Sequence, residues 1–183
     1  LLGVPPHLRN FGLMFQEYVL FPHKDVGENV AFGLKMAGTD REITSDRVKE
    51  VLDLVGLSGL ENRDPATLSG GEQQRIALAR SLAPEPRLVM LDEPLGALDR
   101  SIRERLIGEL HDILKKSSQT ALYVTHDQEE AFRIADRVVI LGNGKTAQIG
   151  TPREIYHQPE SPYIARFLGM NNLLKGEAKS TSE

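Results

Sequence analysis

The 183-residue chain contains no cysteine. That excludes a disulfide framework and a thiolate metal site, and it agrees with a reducing compartment. Basic charge is not in excess: 22 Lys and Arg stand against 26 Asp and Glu, a formal net charge of -4. Nothing therefore pulls the chain as a whole toward nucleic acid or an acidic membrane surface. No apolar run nears the roughly 18 residues of a membrane span. Residues 1–20 lack the charged-then-apolar order of a signal peptide. No internal repeat is present, and no low-complexity segment precedes the polar end GEAKSTSE. A soluble, cytoplasmic protein is expected, long enough for one domain with a sizeable core.

What is present is an alternation of helical and strand-like segments, the pattern of a parallel α/β layer. Residues 45–57 place Val48, Val51, Leu52 and Val55 at helical spacing and stop at Gly56. A second helix begins at Ser69, carries Ile76, Leu78, Ala79 and Leu82, and is ended by Pro84. Residues 87–91 form a short apolar run ending in Asp92-Glu93-Pro94, read as a buried strand. The next helix, over 101–116, has Ile102, Leu106, Leu110, Ile113 and Leu114 on one stripe. Residues 120–125 (TALYVT) are strand-like, and Asp127 with Glu130 has the spacing of a capping box opening a helix through Ile134. Residues 138–149 read as a hairpin turning at Asn143-Gly144, because that pair tolerates positive φ. Thr151-Pro152 and Ser161-Pro162 each pair a cap with Pro at the first helical position, so two short helices follow.

The stretch LSGGEQQR, residues 68–75, carries a local conflict. Ser69 and Glu72 have capping-box spacing, which favours a helix start. Gly70 and Gly71 between them each cost about 1 kcal/mol relative to Ala in a helix interior. A bare first turn exposes N–H groups and the positive end of the helix dipole, which suits a phosphate. Asp92 and Glu93 end a strand, where open α/β sheets bind ligands, and adjacent carboxylates there suit a metal and a base. His126 ends the following strand, so the three side chains can face one crevice. Asp99 has a second reading as a cap for the next helix, and Gln16 one as an ordinary polar loop residue.

In this order LMFQEYVLFPH, LSGGEQQR, LVMLDEP, LGALD and YVTHD resemble the nucleotide-binding subunit of ATP-binding-cassette (ABC) transporters. The resemblance runs to about Leu174. It implies a P-loop NTPase-like α/β core sheet with helices on both faces, plus a helical subdomain carrying the signature motif. Domain limits follow: residues 1–174 a partial ATPase domain, with 22–85 helical and 86–174 holding the Walker B, D-loop and switch-histidine core, then a polar tail at 175–183. The resemblance also assigns roles. Gln16 matches the Q-loop, Asp92 and Glu93 the Walker B pair, residues 95–99 the D-loop with Asp99, and His126 the switch histidine. Glu93 is implied as base, with His126, Gln16 and Asp99 as its catalytic company. Asp92 and Gln16 are implied to serve Mg²⁺. Ser69, Gly70, Gly71 and Glu72 are implied to meet ATP held by a neighbouring subunit in a head-to-tail homodimer. Tyr18, Val19, Leu20 and Phe21 are implied to dock on membrane-spanning permease subunits at the inner face of the cell membrane. An external solute-binding protein is an indirect partner and nucleic acid is not one.

Residues 21–34 and 124–159 narrow the likeness to importer ATPases for sugars, polyamines, ferric iron, sulfate and thiamine. Two departures stand out. Gly96 takes a D-loop position where many relatives have Ser, and Glu72 one where many have Gln. Most consequential, no G-x-x-x-x-G-K-[ST] phosphate cradle occurs in the 183 residues. Gly142-Asn-Gly144-Lys145 comes nearest but has neither the spacing nor the following hydroxyl. The expectation is an N-terminally truncated chain that does not bind ATP normally by itself. Two other readings stand beside it: a soluble ABC ATPase outside transport, and a P-loop-less, non-catalytic interaction partner.

Overall fold

The computed structural model of the chain describes residues 3–96, 100–174 and 176, with backbone alone at 100–102. Apart from Gly176, the expected polar tail lies outside the described residues. The fold is α/β, a parallel sheet with helices on both faces, as the alternating pattern implies. By contact density the chain divides into two compact units, Leu1–Ile134 and Ala135–Glu183. The division falls inside the 86–174 stretch that the sequence pattern groups together.

The first unit is built on a three-stranded parallel sheet of β1 (Phe11–Met14), β2 (Leu88–Asp92) and β3 (Ala121–Val124), with β2 in the middle. Phe11 pairs with Leu88, and Val89 with Ala121. The central strand buries Val89 and Leu91 completely or nearly so. Between β1 and β2 the chain inserts three helices, α1 (Val26–Met36), α2 (Arg41–Leu54) and α3 (Gly70–Leu82), which pack on one another. Ile76, Ala77, Leu78, Ala79 and Leu82 of α3 are buried in the same core as Met14 and Val89. Two glycines let these elements close up. A Cβ at Gly12 would lie 2.7 Å from the Ser81 carbonyl oxygen, and one at Gly33 would lie 2.6 Å from Pro84 Cγ.

Local chemistry explains the helix starts. Asp25 and Glu28 form a reciprocal capping box at α1. The buried Asn29 spends its side chain on the preceding loop: Nδ2 donates to the carbonyls of Phe21, Lys24 and Asp25, and Oδ1 accepts from the Phe21 N–H at 2.8 Å. Two sequence expectations need correction. Helix α2 begins at Arg41, four residues before 45, because its first turn leaves the apolar Ile43 exposed and buries the polar Thr44, so no apolar periodicity marks it. Asp127 and Glu130 do not make a reciprocal box. Asp127 Oδ1 caps α5 (Gln128–Ile134) by accepting from the N–H groups of Glu129 and Glu130, but the Asp127 N–H donates to Thr125 Oγ1 and the Glu130 carboxylate turns inward.

Helix α4 (Arg100–Ser117) joins β2 to β3 and buries Leu106, Leu110, Ile113 and Leu114 of the expected stripe, with Ile107 added; the Ile102 side chain lies outside the described residues. The second unit holds the antiparallel hairpin β4 (Val138–Gly142) and β5 (Lys145–Gly150). Asn143 and Gly144 both have positive φ, at 50° and 73°, as a two-residue turn of the primed type requires. Thr151 and Ser161 cap α6 (Pro152–His157) and α7 (Pro162–Phe167) as read from the sequence.

Candidate functional site

At the carboxyl end of β2 the chain leaves the sheet through a strained residue. Glu93 has φ 44°, uncommon for a non-glycine, and its N–H donates to the Val124 carbonyl at 2.9 Å, which holds the turn against the end of β3. The turn closes with the Gly96 N–H donating to the Glu93 carbonyl at 3.0 Å. This geometry carries the Glu93 side chain to His126, whose Nδ1 stands 3.2 Å from Glu93 Oε1. Glu93 is about one-third exposed and His126 mostly exposed, so the pair opens to solvent.

Gln16 reaches the same place from the end of β1. A Cβ on Gly96 would lie 3.1 Å from Gln16 Nε2 and 3.4 Å from Glu93 Oε2, so both side chains flank the bare backbone of Gly96. Three of the residues singled out by sequence thus converge at the carboxyl edge of three parallel strands, the usual ligand edge of such a sheet. Gly96 then has a reason on this chain's own side, since a side chain there would press on Gln16. Asp92 ends β2 with its side chain exposed, beside Val124 in register. Asp99 lies outside the described residues.

No group of three or more His, Asp or Glu side chains among the described residues could cage a metal. One exposed carboxylate at a strand end, Asp92, fits Mg²⁺ only as the ion is bound beside phosphates, keeping several waters and using one or two carboxylates. Residues Asp92 and Gln16 suit that arrangement.

The start of α3 is organised by itself. The Ser69 N–H and hydroxyl both donate to Glu72 Oε2, at 2.8 and 2.6 Å, and the Glu72 N–H donates back to Ser69 Oγ at 3.4 Å. These bonds hold the Glu72 carboxyl below its ordinary range, the Ser69 hydroxyl contributing most. A Cβ on Gly71 would meet Leu106 Cδ1 at an ordinary 3.7 Å. The chain's own packing therefore gives no reason for glycine at 71. Gln73 Nε2 donates to the carbonyls of Pro65 and Leu68, and Arg75 pairs with Glu109 of α4 at 2.7 Å, so the helix start is fixed from both sides. Among the described residues no hydrogen bond or ion pair joins Ser69 or Glu72 to Gln16, Glu93 or His126.

The segment past Gln16 is partly internal. Tyr18 is buried, which pushes its pKa up, its hydroxyl has no hydrogen-bond partner among the described residues, and Leu20 packs against the core. Val19 is 54% exposed, and Phe21 is half-buried against Phe32. Of the four expected docking residues, only Val19 is exposed; Leu20 and Phe21 are half-buried and Tyr18 is buried. Tyr18 and Val19 both have positive φ, at 58° and 41°. Arg80 of α3 holds that strained pair: its guanidinium donates to both carbonyls, at 2.9 and 2.8 Å, and lies 5.1 Å over the Phe21 ring.

Sequence reasoning missed Arg80 and a buried carboxylate, Glu130, which accepts from the hydroxyls of Tyr123 and Thr125. Glu130 was legible only as half of a capping pattern.

Among known families, residues 4–96 match the ABC transporter model. The "Fe(3+) ions import ATP-binding protein FbpC" of Streptomyces avermitilis is 58% identical, over 98% of this chain and 53% of that protein. The "Spermidine/putrescine import ATP-binding protein PotA" of Clostridioides difficile is 50% identical over 95% of this chain and 50% of its own length. The "Putrescine transport ATP-binding protein PotG" of Escherichia coli is 48% identical over 98% and 48%. The chain spans about half the length of the curated relatives it matches. No described helix is long and apolar enough to cross a membrane. With the match to that family model over half of the chain and relatives this similar, the chain belongs to the ABC transporter family.

Proposed function

We propose that the full-length protein is the ATP-hydrolysing subunit of an ABC importer, peripheral on the inner face of the cell membrane and driving solute uptake through permease subunits. The observation that carries this reading is the Glu93–His126 pair at the end of β2, with Gln16 flanking Gly96 beside it. A carboxylate held by a neighbour at the mouth of a parallel sheet can take a proton from an attacking water, and a positioned base supplies about 10²–10⁴-fold in rate. Glu93 is that base. His126, solvent-open and in contact with Glu93, meets the γ-phosphate and reports its loss.

Asp92 and Gln16 would hold Mg²⁺, which would supply charge neutralisation to the nucleotide's phosphates. The bare, capped start of α3 presents Ser69, Gly70 and Gly71 to the nucleotide of a second subunit, in a two-fold head-to-tail dimer. For the Ser69 hydroxyl to donate to that phosphate it must turn from Glu72, whose carboxylate now accepts its hydrogen bond. Asp99 belongs to the same interface. Val19, clamped by Arg80, forms the outward side of the permease-docking segment. The relatives named above point to ferric iron or a polyamine as cargo, delivered by an external binding protein; nucleic acid is not a partner.

The test is Glu93→Gln in the full-length protein. ATP binding is retained and kcat falls by about 10²–10⁴-fold; unchanged turnover removes Glu93 from the role of base.

A further inference from the structure

The Glu93–His126 contact depends on where the backbone delivers His126. Its imidazole is 73% exposed, so little side-chain packing fixes it. The residues on either side are tied down instead. Thr125 gives its hydroxyl proton to Glu130 Oε2 at 2.8 Å, and its Oγ1 accepts the Asp127 N–H at 3.0 Å. Tyr123, on β3, donates to the same Glu130 oxygen at 2.9 Å. Arg103 of α4 faces both acids, with Nε 3.7 Å from Glu130 Oε1 and one terminal nitrogen 3.6 Å from Asp127 Oδ2.

Glu130 is only 2% exposed. A buried carboxylate is costly unless its lone pairs are used, and here one oxygen takes two hydroxyl donors while the other faces a guanidinium. The hydroxyl protons then have one arrangement: Glu130 accepts from Thr125, and Thr125 accepts from Asp127. With a fixed sense at each bond, the 125–127 turn has one geometry. The same carboxylate pushes the Tyr123 phenol strongly up, after burial, which keeps it a donor. None of the chemistry assigned above uses Glu130.

We propose that Glu130 is a positioning residue that holds the 125–127 turn, and through it the His126 imidazole, against Glu93. The inference rests on the reading of Glu93 and His126 as the working pair. Displacements near 1 Å at such a pair cost up to about 10²-fold in rate.

The experiment uses the full-length protein. Glu130→Gln lowers kcat about tenfold or more with little change in KM. Thr125→Val does the same and Thr125→Ser restores the wild-type rate. In a His126→Ala background Glu130→Gln adds little further loss, since the residue it positions is gone. A full additional loss in that background, or a change confined to KM, overturns the proposal. A second readout needs no turnover. In the wild type, Glu93→Gln shifts the His126 ring signals in NMR; with Glu130→Gln, or with Tyr123→Phe if the first variant does not fold, the same Glu93 change leaves them unmoved. An undiminished shift overturns the positioning role. Wild-type protein that hydrolyses no ATP but passes this NMR test removes the functional reading and leaves the positioning role standing.

Discussion

At Gly33 of α1 an added Cβ would stand 2.6 Å from Pro84 Cγ, whereas at Gly71 of α3 it would touch Leu106 at 3.7 Å. Gly33 sits in a helix interior, where glycine costs about 1 kcal/mol relative to Ala, and Gly71 sits in the first turn of α3, where the cost is at most that. At Gly33 the cost is offset by the close approach of α1 to the end of α3. At Gly71 nothing among the described residues offsets it. The difference separates a glycine required by the fold from one that local packing does not require, and on the function proposed above a phosphate approaching the helix start supplies that requirement.

Substitutions sharpen this contrast. The largest effect is expected from Gly71→Asp in the full-length protein: an acid in the first turn suits the helix dipole, so the fold survives, but it repels phosphate. ATP hydrolysis falls by about 10²-fold, on the scale of losing a preorganised anion donor, and unchanged hydrolysis would return Gly71 to the fold-only class. Next are the alanine variants, compared by denaturant unfolding. Gly33→Ala lowers stability by about 1–3 kcal/mol through overpacking on Pro84. Gly71→Ala raises it by up to about 1 kcal/mol. Equal signs at the two sites would erase the distinction.

The smallest effect concerns Glu72. Its carboxyl is held below the usual range by Ser69, so its help to the helix start is present above the unfolded-state value and fades as pH falls through the lowered folded value. Protection of the first-turn amides of α3, taken relative to the intrinsic exchange rate at each pH, falls on acidification through that region in the wild type. In Glu72→Gln it does not follow this course.

The same contrast between local and distant causes governs what could be read from sequence. The Ser69–Glu72 box, the Asn143–Gly144 turn and the caps at Thr151 and Ser161 were legible because each closes within four residues. The Glu93–His126 contact was legible as a shared strand edge, since parallel winding brings consecutive strand ends together. Arg80 and Glu130 were not. Arg80 acts across 61 residues on backbone carbonyls, which leave no side-chain pattern, and Glu130, three residues after Asp127, looks like part of a cap until its burial is known. Tyr18 fell in an apolar run whose inward and outward members cannot be told apart once positive φ breaks the alternation.

The central claim is that the Glu93 edge and the Gly71 helix start work on nucleotides in different pairings of subunits. Mixing full-length Glu93→Gln with full-length Gly71→Asp, each inactive alone, tests it directly. In a two-fold dimer a mixed pair keeps one site with intact Glu93 from one subunit and intact Gly71 from the other, so ATP hydrolysis returns to about a quarter of wild type. A mixture as inactive as either variant alone, with mixed dimers shown to form, would contradict the account.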